Sequence, residues 1–483
     1  MVFSSPIFIF LFLPLVLGAY FVLPNLRARN YWLLLASLLF YAWGQIDFTA
    51  LLAVSALVNY LLGHWVAQCR TAAGRKTAVA AAVTVNLGLL AVFKYAGLAV
   101  TSLNALLPAL GLPPLPRPEI TLPIGISFFT FHALSYVVDI YRRKCPPARE
   151  PGDLALYLFF FPQLIAGPIL RWNAIAPQLT QRHFDRATFA EGVRRFTGGL
   201  AKKLIIANAV AVPADQIFAL PPSQLSMACA WLGLLCYTLQ IYFDFSGYSD
   251  MAVGLGKMFG FQFLENFQFP YTAQSLRDFW RRWHISLSTW FRDYVYIPLG
   301  GNRVSPIRNH LNLVVVFFLC GLWHGANWTF VAWGLAHGSF LVLERTAWGA
   351  VLDRLPRPVR HLYTLLVVML CWVLFRSDSF AAARHFFAAL FGVGPSSQPQ
   401  PWQRYAANEV IWALGLGVAF SLPLWERGKQ AGQRLLRGLP EKYQAAGLTM
   451  GELVEIMLVA GLFLISAAWL AGTTYNPFIY FRF

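Results

Sequence analysis

The sequence predicts an all-α polytopic membrane protein, on three observations. The 483 residues are 58% hydrophobic and 12% charged, with a mean hydropathy of +0.54, more apolar side chain than a soluble core can hide. Apolar stretches recur at the length of a bilayer crossing, since a hydrocarbon core of about 30 Å takes about 20 residues rising ~1.5 Å each. The basic residues gather in short breaks between those stretches: Arg27 and Arg29, then Arg70, Arg75 and Lys76, then Arg142, Arg143 and Lys144, then Lys202 and Lys203. That placement is the pattern of cytoplasmic loops, so the net charge of +17 calls for no nucleic-acid surface.

In chain order the apolar runs fall at 6–24, 31–45, 48–67, 77–97, 120–139, 153–170, 225–243, 311–323, 328–344, 361–376, 409–424 and 452–471. They predict roughly 11 to 13 membrane segments, re-entrant ones included. No basic stretch precedes the first run, so it is expected to stay as an anchor helix with the N-terminus facing outward. Pro- and Gly-rich breaks at 112–118 and 392–402 read as loops too short to separate domains, and one membrane domain over 1–483 is expected. No internal repeat supports an inverted-repeat transporter. The six cysteines show no metal spacing and read as reduced, packed thiols, and no metal site is expected.

The stretch 275–299 is too charged to span. On a helix at 100° per residue, Leu276, Phe279, Trp280, Trp283, Leu287, Trp290, Phe291 and Tyr294 share an arc of roughly 120°. Arg277, Arg281, His284, Ser288 and Arg292 line the opposite side, which predicts an interfacial amphipathic helix with its aromatic face at the bilayer boundary. The cationic row fits either the phosphates of an acyl donor or simple attraction to an anionic leaflet, worth about 1 kcal/mol per basic residue. His284, at the border of that row, fits a headgroup contact as well as a place in a site.

The stretch 311–343 would be ~50 Å long as one helix, so it is expected to bend, and the break falls at GLWHGANW, where Gly321 and Gly325 bracket His324. Irregular backbone at membrane depth is tolerated where protein buries it or a wet cavity borders it. An ionisable residue there is a functional candidate, and an imidazole suits a general base, although a histidine packed against a carbonyl also fits. Asp244 and Asp250 read as an interhelical hydrogen-bond knot with Ser246, Tyr248 and Ser249, and Gly254, Gly256 and Gly260 as close helix packing. The other histidines, His337 among them, have no ligand spacing, and the HExxH, GxSxG and P-loop patterns are missing from the sequence.

In order along the chain, FPQLIAGPI (Phe161 to Ile169), YFDFSGYSDMAVGLGKMFGF (Tyr242 to Phe261), FWRRWHISLSTWFRDYVYIPLGGNR (Phe279 to Arg303) and GLWHGANW (Gly321 to Trp328) resemble the signature segments of the membrane-bound O-acyltransferases. The resemblance is to the bacterial branch that modifies alginate, peptidoglycan and teichoic acid, closest to its alginate-acetylating members. The opening MVFSSPIFIFLFLPL is similar to theirs, and the ending NPFIYFRF is similar to bacterial members in general. The resemblance implies a ring of helices around a thinned, funnel-like centre, with His324 as the essential histidine at its bottom and His284 as a second polar position. With it, the residue reading expects Arg277, Arg281 and Arg292 at the donor phosphates, Asn327 orienting the imidazole or the acyl carbonyl, Trp323 beside them, and acetyl-CoA as co-substrate with no bound cofactor. The resemblance further implies residence in the bacterial inner membrane and an extracytoplasmic polysaccharide or acetyl-accepting transferase as partner. Peptidoglycan O-acetylation and D-alanyl transfer remain alternatives for the acceptor. A transporter of an anionic substrate and a scaffold for a separate transferase remain alternatives outside this enzyme class.

Overall fold

The computed structural model describes residues 1–438, 440–472 and 476, so the ending NPFIYFRF, apart from Asn476, lies outside the described residues. Among the described residues the regular structure is helical, with no strand. Six helices are long and apolar enough to cross a membrane: α2 (Leu26–Gln68), α3 (Ala72–Leu110), α6 (Met227–Met258), α9 (Pro306–His324), α11 (Arg357–Arg376) and Tyr443–Gly472. The pair Asn408–Phe420 and Leu424–Arg437, bent by 57°, makes a seventh.

By length this is fewer than the 11 to 13 segments the apolar runs predict, for two physical reasons. Several runs form helices too short to cross: α1 (Phe8–Val22), α4 (Ile126–Tyr141) and α10 (Trp328–Leu343). The 16 residues of α4 rise only about 24 Å, and nearly all of them are buried against other helices, so protein rather than lipid accounts for their apolarity. The run at 153–170 splits at Phe160 into Pro151–Phe159 and Phe161–Leu164. In the other direction, α2 is two limbs. A straight helix of 43 residues would run about 65 Å. Yet Arg27 pairs with Glu150 at 2.6 Å, while the Tyr60 hydroxyl donates to the carbonyl of the adjacent Arg149 at 3.3 Å. The chain therefore folds back at Gln45, the one residue inside α2 with non-helical backbone (φ −153°, ψ 71°), and the runs 31–45 and 48–67 are its limbs.

This gives the molecule two ends. At the basic end, Arg75 donates to the carbonyl of Tyr141 at 2.8 Å, Arg142 to that of Asp293 at 2.9 Å, and Arg171 pairs with Asp293 at 2.9 Å. At the opposite end, Gln45 is bonded to Ile124 and Leu122, next to the start of α4. Helix α4 runs from one end to the other.

Two helix pairs cross closely through glycine. In α5 (Arg186–Ala201) and α6, a Cβ on Gly247 would lie 2.7 Å from the Gly199 carbonyl, and one on Gly254 would lie 2.6 Å from that of Gly192. In α9 and α10, Gly321 lies against the backbone of Phe330 and Gly334 against that of Phe317. The pairing 321 with 330 and 317 with 334 is that of an antiparallel hairpin.

The expected single helix over 275–299 is broken. Helix α7 (Leu276–Arg282) stops at Trp283, His284 takes left-handed backbone (φ 43°), and α8 (Ile285–Phe291) leaves in a new direction. Phe279, Trp280, Trp283, Leu287, Trp290 and Phe291 are buried inside the protein, and Trp290 stacks on Phe131 at 3.7 Å. The aromatic face therefore meets helices and not the bilayer boundary. Lipid and protein interior select the same apolar periodicity.

Candidate active site

The site begins with the end of α9. Its last residue is His324, after which Gly325 is extended (φ −165°) and Asn327 caps α10 by accepting from the Thr329 N–H at 3.1 Å. A helix end inside protein leaves carbonyls without intrahelical partners. Lys94, buried on α3, meets them: its Nζ is bonded to the Trp323 carbonyl at 2.5 Å and the Ser127 hydroxyl at 3.0 Å, and reaches the His324 carbonyl at 3.4 Å. Tyr95 donates to the Leu322 carbonyl at 2.7 Å.

The imidazole of His324 is only 4% exposed and sits in an aromatic box, 4.9 Å from the Trp323 ring, 4.9 Å from Trp333 and 5.1 Å from Phe375. Neither Nδ1 nor Nε2 has a hydrogen-bond partner among the described residues. His324 forms part of the wall of a cavity of about 100 Å³, with Lys94, Ile124, Ser127, Ile165 and Trp323. Ile124 and Ile165 also line an adjoining cavity of about 330 Å³ that reaches Trp43 and Gln45. Access to the histidine thus runs from the end opposite the basic loops.

His284 lies on the other side of Trp323, whose ring is 6.0 Å from His284 and 4.9 Å from His324. Its Nδ1 is 3.2 Å from Asn266 Oδ1, and that oxygen also accepts from Ser286 N at 3.1 Å and Ser286 Oγ at 2.9 Å. Because the oxygen only accepts, Nδ1 carries the proton and Nε2 keeps a free lone pair. Left-handed backbone at a histidine is uncommon, and here it turns the side chain from the α7 surface into the interior, where it is fully buried.

A third histidine completes the group, and sequence reasoning passed it over. His337 on α10 is fully buried, accepts from Trp280 Nε1 at 3.3 Å through Nδ1, and leaves Nε2 without a partner. The Trp333 ring separates it from His324, at 5.0 Å and 4.9 Å respectively. Three histidines with four uncommitted ring nitrogens around two tryptophans can accept and pass protons and can hold polar ligand atoms.

The remaining predicted residues divide. Trp323 is in the wall, donating to the Ser127 carbonyl at 3.4 Å. Asn327 is not turned to the imidazole: its amide oxygen caps α10 and its nitrogen donates to the Asp378 carbonyl at 2.8 Å. Arg277, Arg281 and Arg292 are exposed, and the turn at His284 breaks the row that placed them on one face with it. Arg292 pairs with Asp293 at 2.7 Å. The start of α7 is held by Glu344, which accepts from the N–H groups of Leu276 at 2.7 Å and Arg277 at 3.2 Å, while burial lifts its carboxyl above the ordinary range. Asp244 and Asp250 are ion-paired and not knotted to hydroxyls: Lys203 meets Asp244 at 2.6 Å, and Lys202 and Arg195 meet Asp250 at 2.7 Å and 2.8 Å.

Residues 149–377, which include all three histidines, match the profile of the membrane-bound O-acyltransferase family. The probable alginate O-acetylase AlgI of Azotobacter vinelandii is 42% identical over the whole of both chains. The corresponding protein of Pseudomonas aeruginosa is 46% identical over 82% of this chain and 75% of its own. The peptidoglycan O-acetyltransferase of Helicobacter pylori is 36% identical over 81% of this chain and 80% of its own.

Proposed function

The chain belongs to the membrane-bound O-acyltransferase family and is a membrane acyltransferase, and from that premise we propose that it O-acetylates an extracytoplasmic polysaccharide of the alginate type from acetyl-CoA, in the bacterial inner membrane. Family membership sets aside the transporter reading. Full-length likeness to alginate O-acetylases supports the acceptor class.

The observation that carries the mechanism is His324, on a cavity wall with both ring nitrogens uncommitted. His324 takes the proton of an acceptor hydroxyl, whether a sugar's or a partner transferase's serine. The oxygen attacks the thioester carbonyl, the C–S bond breaks, and the leaving sulfur takes the proton back from the imidazolium. The aromatic box keeps water from the thioester. Trp323 lines the cavity beside the imidazole with His284 packed behind it, and Lys94 fixes the backbone that aims the imidazole. The adjoining cavities give the acceptor its approach to the imidazole from the end opposite the basic loops.

The test is the O-acetyl content of exopolysaccharide and peptidoglycan in cells with the wild-type protein, the His324→Ala variant, or no copy, at matched membrane levels. Loss of acetyl from the exopolysaccharide in both altered strains is expected. Loss confined to peptidoglycan would move the acceptor to the cell wall, and unchanged acetylation of both polymers would overturn the reading.

A further inference from the structure

Far from the histidines, at the basic end, α2 stops at Gln68, α3 starts at Ala72 and α4 stops at Tyr141 around a cavity of about 520 Å³. Its lining includes Arg75, Arg143, Lys144, Cys69 and Cys145. Arg75 is fixed in place: Nη2 donates to the carbonyls of Tyr141 at 2.8 Å and Ile140 at 3.4 Å, and the guanidinium lies 5.7 Å from the Tyr141 ring centre. Its Nε is buried and unbonded. Arg143 follows α4 in left-handed backbone (φ 58°), its N–H tied to the Ile140 carbonyl at 2.9 Å, with the side chain exposed. Lys144 lies 3.5 Å from Asp139, whose other oxygen accepts from the Tyr294 hydroxyl at 2.8 Å. Among the described residues Arg75 and Arg143 make no ion pair. Three cations thus line the cavity, and the one carboxylate near them, Asp139, is buried behind the wall and partly neutralises Lys144 alone.

Depth gives the ligand class. The second limb of α2, residues 46–68, rises about 34 Å, enough to cross the hydrocarbon core, so its end lies among lipid headgroups. The basic loops place this end in the cytoplasmic leaflet, where anionic lipids collect, and basic pockets between helix ends are suited to their phosphates. We infer that this cavity binds the phosphate of an anionic lipid headgroup, with Arg75 as the fixed donor and Arg143 and Lys144 closing over the charge. This site is independent of the acyl-transfer reading.

Cys69 reports on occupancy, because it lines the cavity and is partly exposed. The full chain is reconstituted in phosphatidylcholine with rising phosphatidylglycerol, and alkylation of Cys69 by a neutral maleimide is followed by peptide mass spectrometry. At phosphatidylglycerol about ten times the half-saturating level, labelling should slow about tenfold. The Arg143→Gln/Lys144→Gln double variant should label at the unprotected rate, and Arg143→Lys should keep the protection. Labelling that ignores phosphatidylglycerol, or protection unchanged in the double variant, would overturn the site. Protection by millimolar inorganic phosphate in pure phosphatidylcholine, with none from phosphatidylglycerol, would overturn the lipid as its source and assign a soluble phosphate ligand.

Discussion

Helices α5 and α6 and helices α9 and α10 are packed by the same device, a glycine on one helix against backbone on the other. They differ in how they treat buried polar groups. Between α5 and α6, Asp244 meets Lys203, and Asp250 meets Lys202 and Arg195, so each charge has a counter-charge. At the turn between α9 and α10, Lys94 satisfies backbone carbonyls, but both ring nitrogens of His324 are left open, with one each on His284 and His337 beside it. Buried polar atoms left without partners cost about 1–3 kcal/mol each unless a ligand or water meets them. A protein that pairs its charges in one glycine-packed interface and leaves imidazoles open in another has separated scaffold from site.

The largest expected effect falls on the open side of that comparison. His324→Ala should lower acyl transfer by about 10²- to 10⁴-fold with little change in thermal stability, measured as turnover and melting of purified protein. A comparable loss of stability would put His324 with the scaffold. On the paired side, Asp244→Ala should remove about 3–5 kcal/mol of stability by taking the carboxylate counter-charge from the buried Lys203 ammonium. Its readout is melting temperature and membrane abundance, and an unchanged melt would break the contrast.

Lys94 stands between the two classes, a structural cation serving a reactive residue. Lys94→Met removes charged hydrogen bonds worth about 1.5–3 kcal/mol and should lower turnover about ten- to a hundredfold while the Michaelis constants hold. Lys94→Arg should recover part of that turnover, and a rise in Michaelis constant with turnover intact would make Lys94 a substrate contact instead. The smallest effect is expected at Arg281. It is exposed and separated from His284 by the turn, so Arg281→Gln should change stability by less than about 0.5 kcal/mol. A raised donor Michaelis constant in that variant would restore the phosphate-binding row the sequence suggested.

His324 was legible because an ionisable residue between two glycines inside an apolar run has few structural uses. The fold-back of α2 was legible as two runs, 31–45 and 48–67, although its cause, the Gln45 side chain tied to Leu122 and Ile124, was not. Lys94 was hidden because a single lysine in an apolar run carries no sign that it reaches a helix end more than two hundred residues away. His337 was hidden for the same reason, its partner Trp280 lying on another helix.

Composition, run length and charge placement by themselves determined that this is a helical membrane protein, because those properties report on solvent and need no knowledge of neighbours. The signature segments and the glycine-bracketed histidine determined the family and the leading candidate for chemistry. Only the tertiary structure decided which apolar runs face lipid and which face protein, since both environments select the same side chains. It alone decided that left-handed backbone at His284 turns an apparent surface histidine inward, that Asn327 caps a helix, and that Asp244 and Asp250 find cations. Hydrogen bonds and ion pairs form over a few ångströms between residues far apart in the chain, and no local pattern encodes that distance.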